Sequence, residues 1–130
     1  MKLKFRCWNG EQMINPDYID RDGIAWWKEN SIPTNSNNVM MWTGLLDKWG
    51  KDIYKGDIVK QTAEAYYDEN HIDKTYIGEV VILASKGTCL KKPKCKNNLT
   101  GSTYNVDYYV NVAQYRSEVI GNIYENPELI

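Results

Sequence analysis

The sequence lacks a long apolar run, and its opening residues, MKLKFRCWNG, alternate charged with apolar side chains. A signal peptide or a membrane-spanning helix needs a continuous apolar stretch. We therefore expect no targeting segment, no membrane association and a cytoplasmic location. The 3 cysteines form an odd set, and without an export signal they are expected to remain free thiols.

The sequence also lacks an excess of charge of either sign. Its 16 basic and 17 acidic side chains give a formal net charge of -1. This balance argues against a protein that binds nucleic acid or a membrane over its whole surface, and it leaves a local basic patch open. The 130 residues are enough for a core without disulfides or metal, so we expect one domain over residues 1–130.

Histidine is nearly absent, and the one residue, His71, lies in YYDENHID. Asp68, Glu69 and Asp73 surround it, and carboxylates with imidazole are metal ligands. Turns between strands are rich in the same residue types. We favour a solvated acidic turn and predict no metal site and no cofactor.

The cysteines do not match a known site either. Cys89 and Cys95 are separated by five residues, whereas structural zinc sites use closer pairs. A cysteine nucleophile activated by His71 is an alternative. Cys7 alternates with Leu3 and Phe5, which is typical of a small residue in the core. No catalytic residue is predicted.

The stretch GLLDKWGK, residues 44–51, resembles a phosphate-binding loop only superficially. Five residues separate Gly44 from Gly50 and Asp52 follows Lys51, whereas the motif needs four residues and then Ser or Thr. The glycines recur where a strand must turn or bulge, as at Gly56. The pattern therefore predicts a β-hairpin whose glycines serve the backbone.

Period-two alternation and turn residues dominate the chain. They predict an all-β fold, a compact barrel-like or sandwich domain of short antiparallel strands with one or two short helical turns. The predicted strands are 2–8, a return at EQMI, 39–45, 52–60, 75–83, the alternating segment TYNVDYYVNVAQY, and SEVIGNIYENPELI.

Three segments are less regular. Residues 15–38 are predicted to be loop-like, with a short helical turn within RDGIAWWKEN as one option. TAEAYYDENHID fits a helix or a hairpin that turns at DENH, and we favour the hairpin because a clear strand follows. Residues 84–102 are rich in Lys and punctuated by Gly and Pro, which predicts a loop.

Two groups of side chains are candidates for binding. Lys91, Lys92 and Lys94 belong to a basic segment, 86–96, that contains no acidic residue, and such a segment can contact phosphates. Alternatively it only solubilises the protein. Trp26 and Trp27 are adjacent, so both cannot easily face one core, and one should meet a ligand or a partner.

Three blocks of the sequence resemble the YopX family of small phage and prophage proteins. They are KLKFRCWNGEQMI, MWTGLLDKWGKDIYKGDIVK and SEVIGNIYENPELI. Trp49 departs from the pattern, since the family commonly has a small or polar residue there, and it joins the candidate binding residues. The resemblance implies a mostly β protein that forms a homo-oligomer, with no established enzymatic activity and no catalytic residues to carry over.

These observations favour a non-enzymatic phage accessory protein that self-assembles and binds a host protein or a small, nucleotide-like ligand. The alternative is nucleic-acid binding through the predicted basic loop 86–96 with nearby aromatic side chains. A third hypothesis is an enzyme whose site is not recognisable in the sequence.

Overall fold

The structure, a computed structural model, describes residues 3–67 and 70–130, and it describes the side chains of all of these except 64–67 and 70–72. The chain forms two compact units, Met1–Trp42 and Thr43–Ile130. Both are built from antiparallel strands, which confirms the all-β class. A single domain over residues 1–130 stays a prediction.

The first unit begins with the predicted hairpin. Its strands are β1 (Phe5–Trp8), β2 (Met13–Ile14), β3 (Tyr18–Ile19), β4 (Ala25–Glu29), β5 (Ile32–Ser36) and the start of β6 (Val39–Leu46). The side-chain oxygen of Asn9 accepts hydrogen bonds from the backbone N–H groups of Glu11 and Gln12, both at 2.8 Å, which closes the β1–β2 turn. Strand β1 also pairs with β6, and Cys7 is fully buried, as predicted for a core residue.

The helical turn considered for RDGIAWWKEN is wrong, and so is the loop predicted for residues 15–38. A three-stranded sheet, β3-β4-β5, occupies this region. A turn at Asp20 lies where the helix start was expected, because Asp20 Oδ1 accepts hydrogen bonds from the N–H groups of Asp22 and Ile24. Asn30 and Ser31 then take positive φ values of 52° and 65°, the conformation of a two-residue hairpin turn.

The second unit contains a six-stranded sheet ordered β11-β10-β9-β8-β13, with β12 also paired to β10. Its strands are β8 (Asp57–Tyr67), β9 (Asn70–Leu83), β10 (Gly87–Asn97), β11 (Thr103–Asn105), β12 (Val110–Asn111) and β13 (Ser117–Asn122). Strand β7 (Asp52–Tyr54) lies outside this sheet. Two short 3₁₀ helices, Gln114–Arg116 and Pro127–Leu129, agree with the predicted number of helical turns but lie outside RDGIAWWKEN, where the sequence placed one. The β8–β9 hairpin confirms the preferred interpretation of the middle segment, although residues 68 and 69 of its DENH turn lie outside the described residues.

The loop predicted for residues 84–102 is wrong over most of its length, because Gly87–Asn97 is strand β10. Its apolar residues are interleaved with lysines at period two near its end: Cys95 is 1% exposed, while Lys94 and Lys96 are exposed. The high lysine content hid this alternation. Conversely, TYNVDYYVNVAQY is not one long strand, because only Thr103–Asn105 and Val110–Asn111 pair with β10.

The core of the second unit lies on one face of this sheet. Its buried members are Ile53, Val59, Tyr76, Val80, Leu90, Cys95 and Val106. Because side chains alternate along a strand, the residues between these face the other way. Lys94 and Lys96, on either side of the buried Cys95, are therefore directed away from the core.

The predicted turn at DKWGK is confirmed and rests on a buried carboxylate. Asp47 is 6% exposed, and its oxygens accept from the N–H groups of Trp49 and Lys51 at 2.9 Å and of Val119 at 3.0 Å. Gly50 has a φ of 80°, a conformation that glycine adopts without steric cost. The glycine in this motif serves the backbone, as the sequence predicted.

Candidate functional site

A groove of about 780 Å³ lies in the second unit and is here called the lysine groove. Its lining residues come from β9, from β10, from β11 and the segment after it, and from residue 130. They are Ile77, Gly78, Glu79, Lys91, Lys92, Lys94, Asn105, Val106, Asp107 and Ile130. The structure therefore brings together the three lysines that the sequence selected, and it places them on a strand instead of a loop.

An irregularity in the β9–β10 pairing shapes this groove. Lys91 pairs with Glu79 and Lys94 pairs with Ile77, so that Lys92 and Pro93 together oppose the single residue Gly78. Two residues opposite one is a β-bulge, which bends the strand and redirects its side chains. The bulge explains why three lysines within four positions can line one cavity instead of alternating between the two faces.

Glycine is required opposite the bulge. A Cβ atom at Gly78 would lie 2.9 Å from the Cβ of Pro93 and 3.3 Å from the Cβ of Leu90. Pro93 is itself fully buried, and its carbonyl oxygen accepts a hydrogen bond of 3.0 Å from the N–H of Val106. The bulge is thus anchored on its core side, while its lysines remain exposed.

The groove carries charges of both signs. Lys92 Nζ lies 4.0 Å from Asp107 Oδ1, and their side chains are 56% and 98% exposed. Glu79 is half-buried and stands directly across from Lys91. Burial raises the pKa of the nearby Tyr124 hydroxyl, and the charge of Glu79 raises it further. The side chains that line the groove therefore include three ammonium groups and two carboxylates.

The basic character extends across the same face of the sheet. Neighbouring pairings align Glu118, Lys60, Ile77, Lys94 and Asn105 in one row over β13, β8, β9, β10 and β11. Lys60 and Lys94 are both exposed. The row places one lysine on each side of the apolar side chain of Ile77: Lys60 on β8 and Lys94 on β10.

A polar cluster adjoins the groove at Lys94, which also lines a smaller cavity of about 220 Å³ with Thr103, Tyr104 and Asn105. Hydrogen bonding to Cys95 raises the pKa of the Tyr104 hydroxyl, and the partnership with Tyr104 raises the pKa of Lys74. On the core side, burial raises the pKa of the Tyr76 hydroxyl far above its usual range. These hydroxyl groups are therefore neutral hydrogen-bonding partners at physiological pH.

Sequence reasoning missed Glu79, Asn105 and Asp107. They come from the strand before β10 and from the segment after it, and they meet the lysines only through strand pairing and the chain path after β11. No local motif marks them. The alternation of Lys with Cys at residues 94–96 was the available signal for strand β10.

The tryptophan candidates do not join the lysine groove's lining. Trp26 and Trp27 are half-buried in the first unit and line a cavity of about 120 Å³ with Asp17, Tyr18, Lys28 and Pro33. The Trp26 indole N–H donates to Asp20 Oδ2 at 2.8 Å. Trp49 is 72% exposed on the turn after β6, and Lys48 Nζ lies 5.2 Å from its ring centroid. Their role in binding stays a prediction.

The remaining chemical candidates can be placed only in part. Cys7, Cys89 and Cys95 are all described, all buried, and none is in a disulfide. Burial raises the pKa of the Cys7 and Cys89 thiols. Asp68 and Glu69 lie outside the described residues, as does the side chain of His71. Among the side chains that the structure describes, no group of three or more His, Cys, Asp or Glu residues is arranged to hold a metal.

Within residues 3–67 and 70–130, no helix is long and apolar enough to cross a membrane.

Comparison with known proteins identifies the family. The crystal structure of protein EF1440 from Enterococcus faecalis is similar, with a TM-score of 0.52 and 20% sequence identity over 99% of this chain and 98% of that one. At this identity the likeness concerns the fold alone. No curated protein sequence matches. The family described as YopX protein matches residues 4–130, nearly the whole chain. The chain therefore belongs to the YopX family.

Proposed function

We propose that this protein is a non-enzymatic binding protein whose lysine groove takes a small anionic, nucleotide-like ligand. The observation that carries the proposal is the convergence of Lys91, Lys92 and Lys94 on one groove. The half-buried Ile77 supplies apolar surface beside these charges. A phosphate group and a planar apolar group on one molecule would match the two kinds of surface.

The size of the groove supports this ligand class. Its volume of about 780 Å³ falls among small-molecule sites, which measure about 300–1,000 Å³. Asn105 adds an amide that can donate and accept hydrogen bonds. The described lining residues include no Ser, Thr, Cys or His side chain, so the groove offers charge recognition more readily than a nucleophile with a base.

The biological setting is part of the proposal and rests on the family. We propose a phage or prophage accessory protein that acts in the host cytoplasm, forms a homo-oligomer, and sequesters its ligand. A host protein is the other partner we consider, and Trp26, Trp27 and Trp49 are the residues proposed to meet a partner. No catalytic residue, metal or cofactor is proposed.

Native mass spectrometry of the protein purified from its host tests this function. A multimer that retains added mass of nucleotide size is the expected result, and the mass would identify the ligand. The same experiment on Lys91→Glu/Lys94→Glu should lose the added mass. Lys28→Glu/Lys55→Glu makes the same change in charge at two exposed positions outside the groove and should retain it.

If the native protein carries no added mass, it should be titrated with adenosine and guanosine 5′-mono- and triphosphates. Absence of binding to all four, with no retained mass, would refute a nucleotide-like ligand. Retention of ligand by the Lys91→Glu/Lys94→Glu variant would instead place the ligand elsewhere. A monomer would refute self-assembly alone.

Nucleic-acid binding through residues 86–96 is the second candidate. The row that contains Lys60 and Lys94, with the exposed Lys96 two residues further along β10, could follow a single-stranded backbone. Each phosphate contact would contribute about -0.7 to the slope of log affinity against log salt for a single strand. Oligonucleotide binding with a slope near -2 that is lost in Lys60→Glu/Lys96→Glu, while nucleotide binding persists, would favour this candidate.

A further inference from the structure

Lys92 has a backbone conformation that is unusual for its side chain. Among residues 3–67 and 70–130, three non-glycine residues have a positive φ: Asn30, Ser31 and Lys92. The first two form the β4–β5 hairpin turn, where this conformation is expected. Lys92, with a φ of 36°, lies inside strand β10, in the position of a bulge that glycine commonly occupies.

The surroundings of Lys92 hold it in this conformation. Pro93 follows it and is fully buried against Gly78, where there is no room for a Cβ atom. The carbonyl of Pro93 is tied to the N–H of Val106. Neither neighbour needs a lysine side chain at position 92, and a glycine there would meet the same backbone requirement with less strain.

The one described ion pair of Lys92 does not account for the lysine either. Its partner Asp107 is 98% exposed at 4.0 Å, and such surface pairs contribute little to stability. A bound anion could therefore take the place of Asp107 at little cost. Backbone strain that packing alone does not require is found at binding sites. The strain at Lys92 therefore indicates that its side chain contacts a ligand.

We infer that Lys92 anchors a terminal phosphate group of the ligand, and that the bulge holds its backbone in the left-handed region to place its ammonium group in the lysine groove. This inference rests on the proposed function and narrows the ligand to a phosphomonoester. The carboxylates of Glu79 and Asp107 line the same groove. They repel an extended polyanion more strongly than a single terminal phosphate, which carries at most two charges.

Adenosine 5′-monophosphate and its 3′,5′-cyclic form are matched probes, because they share base and sugar and differ in having a phosphomonoester or a phosphodiester. Isothermal titration calorimetry of the full chain should show the monoester binding at least about tenfold more tightly. Its affinity should increase between about pH 5 and 7, as the second phosphate proton dissociates. The affinity of the cyclic diester should change little over that range.

The decisive variant is Lys92→Gly. It should weaken binding of the monoester by about tenfold while leaving that of the diester within about twofold. Because glycine relieves the left-handed strain, the melting temperature should rise by about 3 °C. Lys94→Gly removes the same charge at a regular strand position and should lower the melting temperature, because glycine weakens a strand. Lys92→Arg keeps the charge and should retain discrimination between the two probes.

Equal affinity of the wild type for the two probes would overturn the inference. So would an unchanged monoester affinity or a lowered melting temperature in Lys92→Gly. The proposed function would survive these results if Lys91→Glu/Lys94→Glu still lost the retained ligand. If the wild type bound neither probe, the inference would fail, and the native mass spectrum would decide the proposed function separately.

Discussion

Replacing Asp47 with Asn tests whether the buried carboxylate holds the turn of the DKWGK motif. Asp47 Oδ1 accepts from the N–H groups of Trp49 and Lys51, and Oδ2 accepts from the N–H of Val119. Asparagine keeps one acceptor oxygen, but it turns an NH₂ group toward the N–H of Val119. One charge-assisted bond is then lost with a donor left unsatisfied, and two others become neutral bonds of roughly half the strength.

The expected cost is about 3 kcal/mol, from about 2 kcal/mol for the bond to Val119 and about 0.5 kcal/mol for each weakened bond. For a chain of this length, that corresponds to a fall in melting temperature of about 10 °C. Urea unfolding followed by tryptophan fluorescence measures the difference. Asp22→Asn, which changes an exposed carboxylate, is the control and should stay within about 0.5 kcal/mol of the wild type.

The difference in stability between the wild type and Asp47→Asn should depend on pH. Burial alone would raise the pKa of the Asp47 carboxyl, but the hydrogen bonds from Val119, Lys51 and Trp49 outweigh it and lower the pKa below its usual value. A lowered pKa in the folded state stabilises the protein above the unfolded pKa of about 3.9, and this contribution disappears as pH falls through the folded value. The difference between wild type and Asp47→Asn should therefore be constant from about pH 7 to 5 and shrink below about pH 4.

Two results would refute this account of the turn. One is a stability of Asp47→Asn equal to that of Asp22→Asn at neutral pH. The other is a difference that grows, instead of shrinking, as the carboxylate is protonated.

Three further changes test the second unit. Gly78→Ala should destabilise the protein by about 1–3 kcal/mol in urea unfolding, because the new Cβ meets Pro93. Adding Pro93→Gly should recover part of the lost stability. A Gly78→Ala variant as stable as the wild type would contradict the close approach of Gly78 to Pro93. Ile53→Ala, at a fully buried position, should cost about 2–5 kcal/mol in the same assay, whereas an effect below about 1 kcal/mol would show that Ile53 is not in the core. Trp49→Ala should change stability by less than about 0.5 kcal/mol, since the side chain is 72% exposed, and a larger loss in thermal melting would mean that the ring is covered.

Much of the fold could be predicted from local patterns. The Asn9 turn, strand β6, the glycine turns and the β8–β9 hairpin all follow from period-two alternation and from residues that favour turns. The same rules failed at β4, β5 and β10. In the β3-β4-β5 region the polar and turn-forming residues belong to short strands, and in β10 the lysines dominated the composition while alternate residues were buried.

The candidate site could be predicted only in part. Lys91, Lys92 and Lys94 stand out because they form a local cluster of one charge. Glu79 and Asp107 do not stand out in the sequence. Their proximity to the lysines depends on the register of β9 against β10 and on the path of the chain after β11. The bulge at Lys92 likewise follows from two residues being opposed to Gly78, a relation that depends on the register between β9 and β10.

The sequence by itself determined the all-β class, the turns, the family and the choice of basic residues, because each depends on neighbours within a few positions or on long matching motifs. Only the tertiary structure decided that the basic segment is a strand, that its lysines share a groove with two carboxylates, and that Lys92 is strained. Those properties arise from the register in which consecutive strands pair, β9 with β10 and β10 with β11. The register depends on which faces of the two strands are buried together and on the turn between them, and neither strand shows it alone.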